Sequence, residues 1–495
     1  MDVRKILSLP IFVAAVGLIS CSGLPKTCTV NCGGNGTATL SVTMTAAPLT
    51  PPPNTNLLSF SVDVNTVTLT PSTGTAVNIP LNSNAFSVDL TKLQSDSVFL
   101  GTSATVPAGS YTSMTVSISN PVVTFCTQTA GATGCAAGSV TTIKGAAAAP
   151  VITSAPFPLT LTSAQQTGLS LNVNLNSTLT VSTSQAQVVT AVSLANALTV
   201  KSLPSTSTSL ATGQLDFVED VTGTVTAVDT ATLSVTVKTA SRGSFTAIAN
   251  SSTVFSPNCN TLTSFTSSSC IVVGQVASLD MVLNANGTFN LLEYDPLTTS
   301  SGDWVEGIVT ATPSSSTQFS LVANDVVLAN SGSLIGASLV GVPVEATLVS
   351  PHPFLIDSKG LTIPTSSFTG TDASIFLPGQ TLSLHVTAFT AASGATPASI
   401  SVDTVYLRFT RVSGTVATTG TQSAFNIASL PSFFGITTQP LVEITQGAPP
   451  TTPATNFDGV TSATALSNPQ TVSVRALYFG TATAMPFSAA KVRVP

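Results

Sequence analysis

The strongest constraint on the fold is a set of landmarks that recurs three times, in the same order, beyond residue 212. Each copy has a Gly in a G-x-V strand, then a Phe, then a Gln before an alternating strand. The landmarks are Gly223, Phe255 and Gln275; Gly307, Phe368 and Gln380; and Gly414, Phe457 and Gln470. Such ordered repetition indicates one supersecondary unit in several copies. We therefore predict three units of one fold, at 213–300, 301–411 and 412–495, with the three Phe at equivalent core positions.

Alternation of apolar and polar residues dominates the whole chain. In LSLNVNL, Leu169, Leu171 and Val173 share one face, and Asn or Ser occupies the other. This period of two is typical of strands with one buried face. In LLSFSVDV and the residues after it, the parity slips by one at Asn65–Thr66, which predicts a bulge or tight turn. No convincing helical period occurs, so the predicted fold class is all-β.

The chain is too long for one compact core, and its composition divides it further. We expect a signal peptide at 1–20, a Gly-rich tether at 21–36 and a β-sandwich domain at 37–200. A Ser/Thr-rich linker follows at 201–212. The three repeated units are predicted to be small β-barrel-like domains, because the Gly of G-x-V lets a strand coil tightly.

Charge is scarce in this sequence. Charged residues make up 7% of its 495 residues, whereas about 25% is typical of soluble domains. Hydrophobic residues make up 43%, which argues against disorder. The net charge is -6, and apart from Arg4-Lys5 the 14 basic residues are scattered singly, which argues against nucleic acid as a partner.

The N-terminus predicts export. Arg4 and Lys5 precede an apolar run that is too short to span a bilayer comfortably, as in a signal peptide. The run ends in Leu18-Ile19-Ser20-Cys21, which resembles the lipobox of bacterial lipoproteins. The resemblance implies that Cys21 is the lipidated first residue of the mature chain and, since Ser22 follows it, that the destination is the outer membrane. An ordinary signal peptide with an incidental Cys21 is the alternative.

Six cysteines remain once Cys21 is assigned to lipid. They form three pairs that are close in sequence, namely Cys28 with Cys32, Cys126 with Cys135, and Cys259 with Cys270. Disulfides persist in oxidising compartments, so we expect local bonds within these pairs. A zinc site is the alternative, but the pairs lie in separate domains and the chain has only two His.

Two further resemblances cover the exported part. Residues 37–200 are similar to an uncharacterised domain of bacterial lipoproteins, through TATLSVTMTAAP, VDLTKL and the Pro-Ala-Gly-x-Tyr motif at 107–111. Where that family has Thr-Asp-Ala-Pro, this chain has Ala46 in place of the Asp. The three repeated units resemble a second uncharacterised family, of β-barrel-like domains that open with G-x-V-T-x-V. Neither resemblance implies an activity.

Motifs for catalysis or cofactor binding are not evident. His352 lies between prolines and His385 lies on the polar face of a predicted strand, so both are interpreted as solvated. No G-x-S-x-G, P-loop or H-E-x-x-H motif occurs. Asp216, Glu219 and Asp220 could gather Ca²⁺, but they lack the spacing of a calcium loop, and a solvated domain junction is the favoured interpretation. We predict no catalytic residue, no metal site and no cofactor.

These observations predict a non-catalytic envelope lipoprotein, held in the membrane by its lipid, with a sandwich followed by a string of barrels. Its expected roles are adhesion, scaffolding or assembly with other envelope proteins. Binding of a soluble glycan or peptide is the second hypothesis, although one Trp and four Tyr offer few rings for sugars. Hydrolysis of envelope polymers is the third.

Overall fold

The computed structural model describes residues 36–495 apart from 51–54, 129–131, 183–188, 206–209, 256–270, 298–301, 337–338, 362, 364–367, 395, 437, 447–453 and 481–485. These described residues form β-strands and a few short 3-10 turns, with no α-helix among them. None of their helical segments is long and apolar enough to cross a membrane. The all-β prediction is therefore confirmed.

The N-terminal domain consists of two packed sheets and a small β-ribbon. Its strands are β1 (Thr37–Ala47), β2 (Thr55–Pro71), β3 (Val77–Ile79), β4 (Phe86–Asp89), β5 (Val98–Pro107), β6 (Gly109–Thr127), β7 (Thr141–Lys144), β8 (Val151–Ile152), β9 (Leu159–Leu161), β10 (Gln166–Asn174), β11 (Leu179–Val181), β12 (Val189–Val192) and β13 (Leu198–Leu203). One sheet has the order β13-β10-β1-β5, and the other is built on β3-β2-β6-β7, while β4 joins β2 and both β8 and β9 join β6. Strands β11 and β12 form the ribbon.

Alternation explains how these two sheets pack. Leu169, Leu171 and Val173 of β10 are buried in one apolar core together with Phe60 and Val62 of β2. The parity slip at Asn65–Thr66 is a register shift, since the pairing of β2 with β6 jumps between Val64 and Thr66. The extra residue lets β2 stay buried on the same side after the bulge.

Three further sheets follow in chain order. The first unit contains β14 (Gln214–Asp229), β15 (Ser234–Lys238), β16 (Ser244–Ile248), β17 (Val254–Phe255), β18 (Val276–Asn284) and β19 (Phe289–Pro296). The second contains β20 (Asp303–Val309), β21 (Gln318–Val327), β22 (Pro343–Leu348), β23 (Phe354–Ile356), β24 (Thr381–Thr390) and β25 (Ala398–Arg408). The third contains β26 (Thr410–Thr418), β27 (Ala424–Ala428), β28 (Leu441–Ile444), β29 (Asn456–Asp458), β30 (Thr471–Tyr478) and β31 (Phe487–Arg493).

The three units share one strand order. In each unit, the hydrogen-bonded neighbours follow the path third, second, first, fifth and sixth strand. The fourth strand also pairs with the sixth. A parallel pairing of the third with the sixth strand then brings the ends of the path together. This pairing spans 344–348 in the second unit and 442–444 in the third, but only Ala247 and Ile248 in the first. The second and third units are thus closed five-stranded barrels, and the first is the least closed.

The recurring Gly is required by close strand packing. A Cβ on Gly223, Gly307 or Gly414 would in each case overlap a backbone carbonyl oxygen of the second strand, that of Lys238, Val322 or Ala428. The recurring Gln closes a turn, because its side-chain oxygen accepts a hydrogen bond from the amide three residues earlier; the Gln380 bond to the Leu377 amide is 2.9 Å long. Both landmarks are therefore backbone requirements of the unit.

Replacing Gly414 by Ala is expected to lower the free energy of unfolding by about 1–3 kcal/mol, because the added methyl group must displace the neighbouring strand. Thr418→Ala, at an exposed position of the same strand, is the matched control and should change stability by less than about 0.5 kcal/mol. Urea unfolding of the two variants measures this difference. Equal stability of the two would show that the close approach of the strands is not required.

The predicted equivalence of the three Phe is wrong for one of them. Phe255 lies opposite Tyr294 and Phe457 lies opposite Val492, at matching positions of the fourth and sixth strands. In the second unit that position, opposite Val405, is occupied by Phe354. Phe368 is buried after β23, outside any strand. The long segment between β23 and β24 carries two further buried Phe, Phe368 and Phe376, and the sequence pattern pointed to the first of them.

Two predicted boundaries also change. Lys201–Leu203 belong to β13 and pair with β10, so the N-terminal domain extends into the predicted linker. The third unit begins at Thr410, where β26 starts directly after the last strand of the second unit. The two barrels are therefore joined without a linker.

Candidate functional site

Most of the scarce charge is buried where the four domains meet. We call this set the junction network. Its acidic members are Asp96, Asp216, Glu219, Asp220, Asp280, Glu293, Asp295, Glu306, Asp325, Asp357 and Asp458, and its basic members are Lys92, Arg242, Lys359, Arg408, Arg411, Arg475, Lys491 and Arg493. The described residues also form four large apolar clusters.

Asp220 is the centre of the junction network. It lies at a bulge, since the pairing of β14 with β18 shifts between Val218 and Val221. Its φ of 54° is in the left-handed region, which Asp tolerates better than most residues. Its amide donates a 2.8 Å hydrogen bond to Asp280 Oδ1. The bulge turns the Asp220 carboxylate out of the strand and towards the other domains.

Cations from three other domains converge on this carboxylate. Lys92, from the N-terminal domain, lies 2.9 Å from Asp220 Oδ2; Arg408, from the second unit, lies 2.7 Å from Oδ1; and Arg411, from the third unit, lies 2.8 Å from Oδ2. Burial alone would raise the pKa of Asp220, but these cations outweigh it and hold that pKa well below its usual range. Asp220 thus ties all four domains together.

A second part of the junction network surrounds Lys359. Its ammonium lies 3.2–3.4 Å from carboxylate oxygens of Asp280, Glu293 and Asp295, all in the first unit. Burial, together with the charge of Asp357, raises the pKa of Asp295 to about 7. Burial, with the charge of Asp295, also raises the pKa of Glu293 well above its usual range. Some of these carboxyl groups therefore hold a proton at neutral pH.

A third part links the two ends of the repeated region. Lys491 of β31 lies 2.7 Å from Glu219 of β14, and Arg493 lies 3.0 Å from Asp458. Arg493 also donates to the backbone carbonyl of Asp96 in the N-terminal domain, at 2.8 Å. The last strand of the chain is therefore bound to the first unit and to the N-terminal domain.

The first and third units carry opposite charges at equivalent positions. Counted from the landmark Gln, Asp280 of β18 corresponds to Arg475 of β30, and their partners across the hairpin are Glu293 and Lys491. Asp295 and Arg493 also occupy equivalent positions, two residues further along the sixth strand of each unit. Asp280 and Arg475 bind each other at 2.8 Å. The repeat sequences show this complementarity when they are aligned on the landmark Gln, although it was not predicted from the individual charges.

The expectation of a solvated domain junction at Asp216, Glu219 and Asp220 is wrong. All three residues are buried, with exposures of 3–4%. Asp216 accepts hydrogen bonds from Thr43 at 2.7 Å and Ser97 at 3.2 Å. No group of three His, Cys, Asp or Glu suited to a metal occurs in the described part of the chain. Lys and Arg occupy the places around these carboxylates where a cation would bind.

The two histidines are apart from the junction network. His352 contacts the backbone carbonyls of Val349 and Thr371, at 3.3 and 2.7 Å, and so fixes its loop. His385 Nδ1 lies 2.7 Å from Asp403 Oδ1, and its ring packs 5.2 Å from that of Trp304. Its Nε2 lies against Gly302, where an added Cβ would approach it to 2.5 Å. His385 is thus half-buried and paired, rather than a solvated single residue.

One disulfide is present among the described residues. Cys126 and Cys135 are bonded, and the loop that they close contacts two other domains. The Gly134 amide donates to the Phe433 carbonyl at 3.0 Å, and the Cys135 amide donates to the Thr310 carbonyl at 2.7 Å. The other predicted sites, Cys21, Cys28, Cys32, Cys259 and Cys270, lie outside the described residues, as does the predicted signal peptide.

Two open grooves flank the domain contacts. One, of about 460 Å³, lies between β10 and β13 of the N-terminal domain and the ends of the first and third units. Lys201, Asn172, Asp458 and Ser170 line it, and the Ser170 hydroxyl is buried without a partner among the described residues. The other, of about 450 Å³, lies beside Cys135 and is mostly apolar.

Comparison with known proteins finds a similarity for the N-terminal domain. Residues 37–196 match a family model described as Domain of unknown function (DUF4382). The match ends before the first repeated unit. A search of curated proteins and a search of solved structures found no match to the chain. The N-terminal domain is therefore similar to an uncharacterised family, and what the protein does has to be argued from its own residues.

Proposed function

We propose that the protein is a lipid-anchored, non-catalytic protein of the bacterial cell envelope, whose β-domains present a surface for adhesion, scaffolding or envelope assembly. The single observation that carries this proposal is the placement of charge. Ion pairs from all four domains converge in one buried junction network. A body clamped in this way holds its surfaces in fixed relative positions, as a scaffold requires.

The anchor is proposed from the sequence. Cys21 follows a short apolar run, and about 15 residues separate it from the first strand. One acyl chain binds a membrane only marginally and two or more hold stably, which is the logic of a multiply acylated N-terminal cysteine. We place the protein at the outer membrane, and we assign the three repeated units to the uncharacterised family that opens with G-x-V-T-x-V. Other envelope proteins are the proposed partners.

Replacing Cys21 by Ala is expected to move the protein from the membrane fraction to the soluble fraction, because the anchor is lost. Cys32→Ala is the matched control, since it removes a cysteine a few residues away and should leave the protein with the membrane. Fractionation of the native cells, followed by immunoblotting, measures the distribution. A Cys21→Ala variant that stays with the membrane as strongly as the wild type would overturn the anchor assignment.

The groove of about 460 Å³ supports a second candidate, which is binding of a soluble glycan or peptide. Its volume is in the range of small-molecule sites, and Lys201, Asn172 and Ser170 offer donors and acceptors in it. Retention of the protein on polysaccharide from its native envelope, and loss of that retention in Lys201→Glu, would favour this candidate. Equal behaviour of the two forms would favour the scaffold.

Hydrolysis of envelope polymers has less support from the site. The pair of His385 and Asp403 would be its general base, but the Nε2 that would take a proton from a nucleophile faces Gly302. The carboxylates of the junction network are held by Lys and Arg and are shielded from solvent. A carboxylate in such surroundings cannot reach a polymer.

A further inference from the structure

One contact in the junction network brings an amine and a carboxyl group together in a dry site. Lys491 Nζ lies 2.7 Å from Glu219 Oε2, and both side chains are 1% exposed. The ring of Phe217 lies 5.1 Å from the same nitrogen. A second carboxylate, Asp458, lies 3.7 Å away. An amine, two carboxyl groups and an aromatic ring thus share one water-excluded place.

This contact differs from those of the other buried lysines. Lys359 and Lys92 each lie within 3.4 Å of three carboxylates, whereas Lys491 has one that close. Glu219 Oε1 is buried without a hydrogen-bond partner in the described part of the chain. Burial raises the pKa of Glu219 to about 7, so a large fraction of this carboxyl group is neutral at neutral pH. A neutral carboxyl group is the form that an amine can attack.

We propose that Lys491 and Glu219 condense to an intramolecular isopeptide bond, with Asp458 as the proton acceptor. In the first step the Lys491 ammonium gives a proton to the Asp458 carboxylate. The free amine then attacks the carboxyl carbon of Glu219. The new bond joins Nζ to Cδ, and the bond from Cδ to the hydroxyl group breaks. The proton held by Asp458 passes to the departing hydroxyl group, which leaves as one water molecule, and Asp458 takes up the proton that the attacking nitrogen loses. No oxidant, reductant or activating group is needed for this balance.

The geometry favours the attack. An Nζ–Oε2 distance of 2.7 Å puts the carbon bonded to that oxygen close to the roughly 3–3.5 Å of a near-attack conformer. Arg493, at 3.0 Å from Asp458, holds that carboxylate ionised and oriented for the proton. Condensation also removes charge from a site where buried ions are expensive to keep. The adjoining cavity of about 30 Å³, lined by Glu219 and Asp96, has room for the released water.

The bond would join β31 of the third unit to β14 of the first. These strands are 272 residues apart in the chain. A covalent link there would close the repeated region into a ring and make separation of the first and third units impossible without bond cleavage. It would add a covalent link to the ion pairs of Asp220 with Arg411 and of Asp280 with Arg475, which also join the first and third units.

Peptide mapping of the purified full chain, after reduction and digestion, tests the proposal. We expect a cross-linked peptide pair that contains Lys491 and Glu219 and is lighter than the sum of its parts by one water molecule. In Lys491→Arg, which keeps the positive charge but cannot form this amide, the two peptides should be separate. Lys359→Arg is the matched control and should retain the cross-link.

Other outcomes would overturn the proposal. Uncoupled Lys491 and Glu219 peptides from the wild type would do so, whatever the variants do. A cross-link from Lys491 to Asp458 would refute the assignment of the carboxyl group. Loss of water confined to Asp458–Gly459 would indicate a cyclic imide within the chain rather than a cross-link.

Discussion

Asp220→Asn is expected to lower the free energy of unfolding by about 3–5 kcal/mol, because it removes one charge from a buried network and leaves the opposite charges uncompensated. Lys92, Arg408 and Arg411 all lie within 3 Å of the Asp220 carboxylate, and none of them can reach bulk water readily. The amide of Asn is similar in size to the carboxylate but neutral. The variant therefore isolates the charge from the packing.

Urea unfolding followed by Trp fluorescence is a suitable measurement for this variant. Trp304 is the one Trp of the sequence, and it packs with Val276 and Leu297 where the first and second units meet. Asp229→Asn, at the exposed end of the same strand, is the control and should shift the stability by less than about 0.5 kcal/mol. If Asp220→Asn were as stable as this control, the junction network would not hold the domains together.

Stability is expected to be greatest near pH 4 and to fall on both sides. Burial and the charge of Asp357 raise the pKa of Asp295 to about 7 in the folded chain, from an ordinary value of 3.8, so between these values the unfolded chain ionises first. The folded state then holds more protons, and stability falls with rising pH by up to about 1.4 kcal/mol per unit for one such group. Glu293, whose pKa is also raised, acts in the same direction.

The acid side has the opposite sign. The pKa values of Asp220 and Asp96 are held below the usual range, in each case because neighbouring cations outweigh the effect of burial. Their contribution is present above the unfolded value and is lost as the pH falls below about 4. Together the two effects place the maximum near pH 4 rather than at neutrality.

Asp295→Asn tests this pH dependence. It replaces a carboxyl group that is neutral below about pH 7 with an amide, so it should flatten the fall between pH 4 and 7 while changing little at pH 4. Thermal unfolding midpoints of the wild type and the variant, measured from pH 3 to pH 8, would show it. A variant with the same slope as the wild type would contradict the assignment of Asp295 as a proton holder.

The sequence predicted the parts of this fold that depend on local pattern. Alternation predicted the strands, and the slip at Asn65–Thr66 predicted a bulge in β2, because side-chain direction follows from register within a few residues. The repeated Gly and Gln predicted three units of one fold, because each fixes a backbone feature of its own unit. Phe368 was predicted in place of Phe354, because hydrophobicity alone does not distinguish a Phe in a long connection from one in a strand.

The junction network could not be predicted in the same way. Its contacts join residues far apart, such as Asp96 with Arg411 at a separation of 315 positions, and no local pattern links them. Each charge appeared isolated in the sequence, and isolated charges are normally solvated. The low number of charged residues was the available clue. When a chain has so few ionisable groups and still carries them in its strands, those groups are expected to have a structural role there. Opposite charges at equivalent positions, such as Asp280 and Arg475, were the second clue.

The arrangement of the domains is where the structure departs most from the expected string of barrels. Ion pairs, the Cys126–Cys135 loop and the contacts of Arg493 pack the N-terminal domain and the three units around one centre. The surfaces that a string would expose are buried against each other. In our proposal, the protein therefore acts as one rigid body on its anchor and not as a flexible row of modules.

Small-angle X-ray scattering of the Cys21→Ala variant, which carries no lipid in our proposal, distinguishes one rigid body from a row of separate domains. A single compact body of this length should have a radius of gyration of about 23 Å. Four separate domains in an extended row would give a value of about 40 Å by the same scaling. We expect a value near the lower figure, with an increase in Asp220→Asn at low urea concentration. A value near the higher figure in the absence of urea would contradict it.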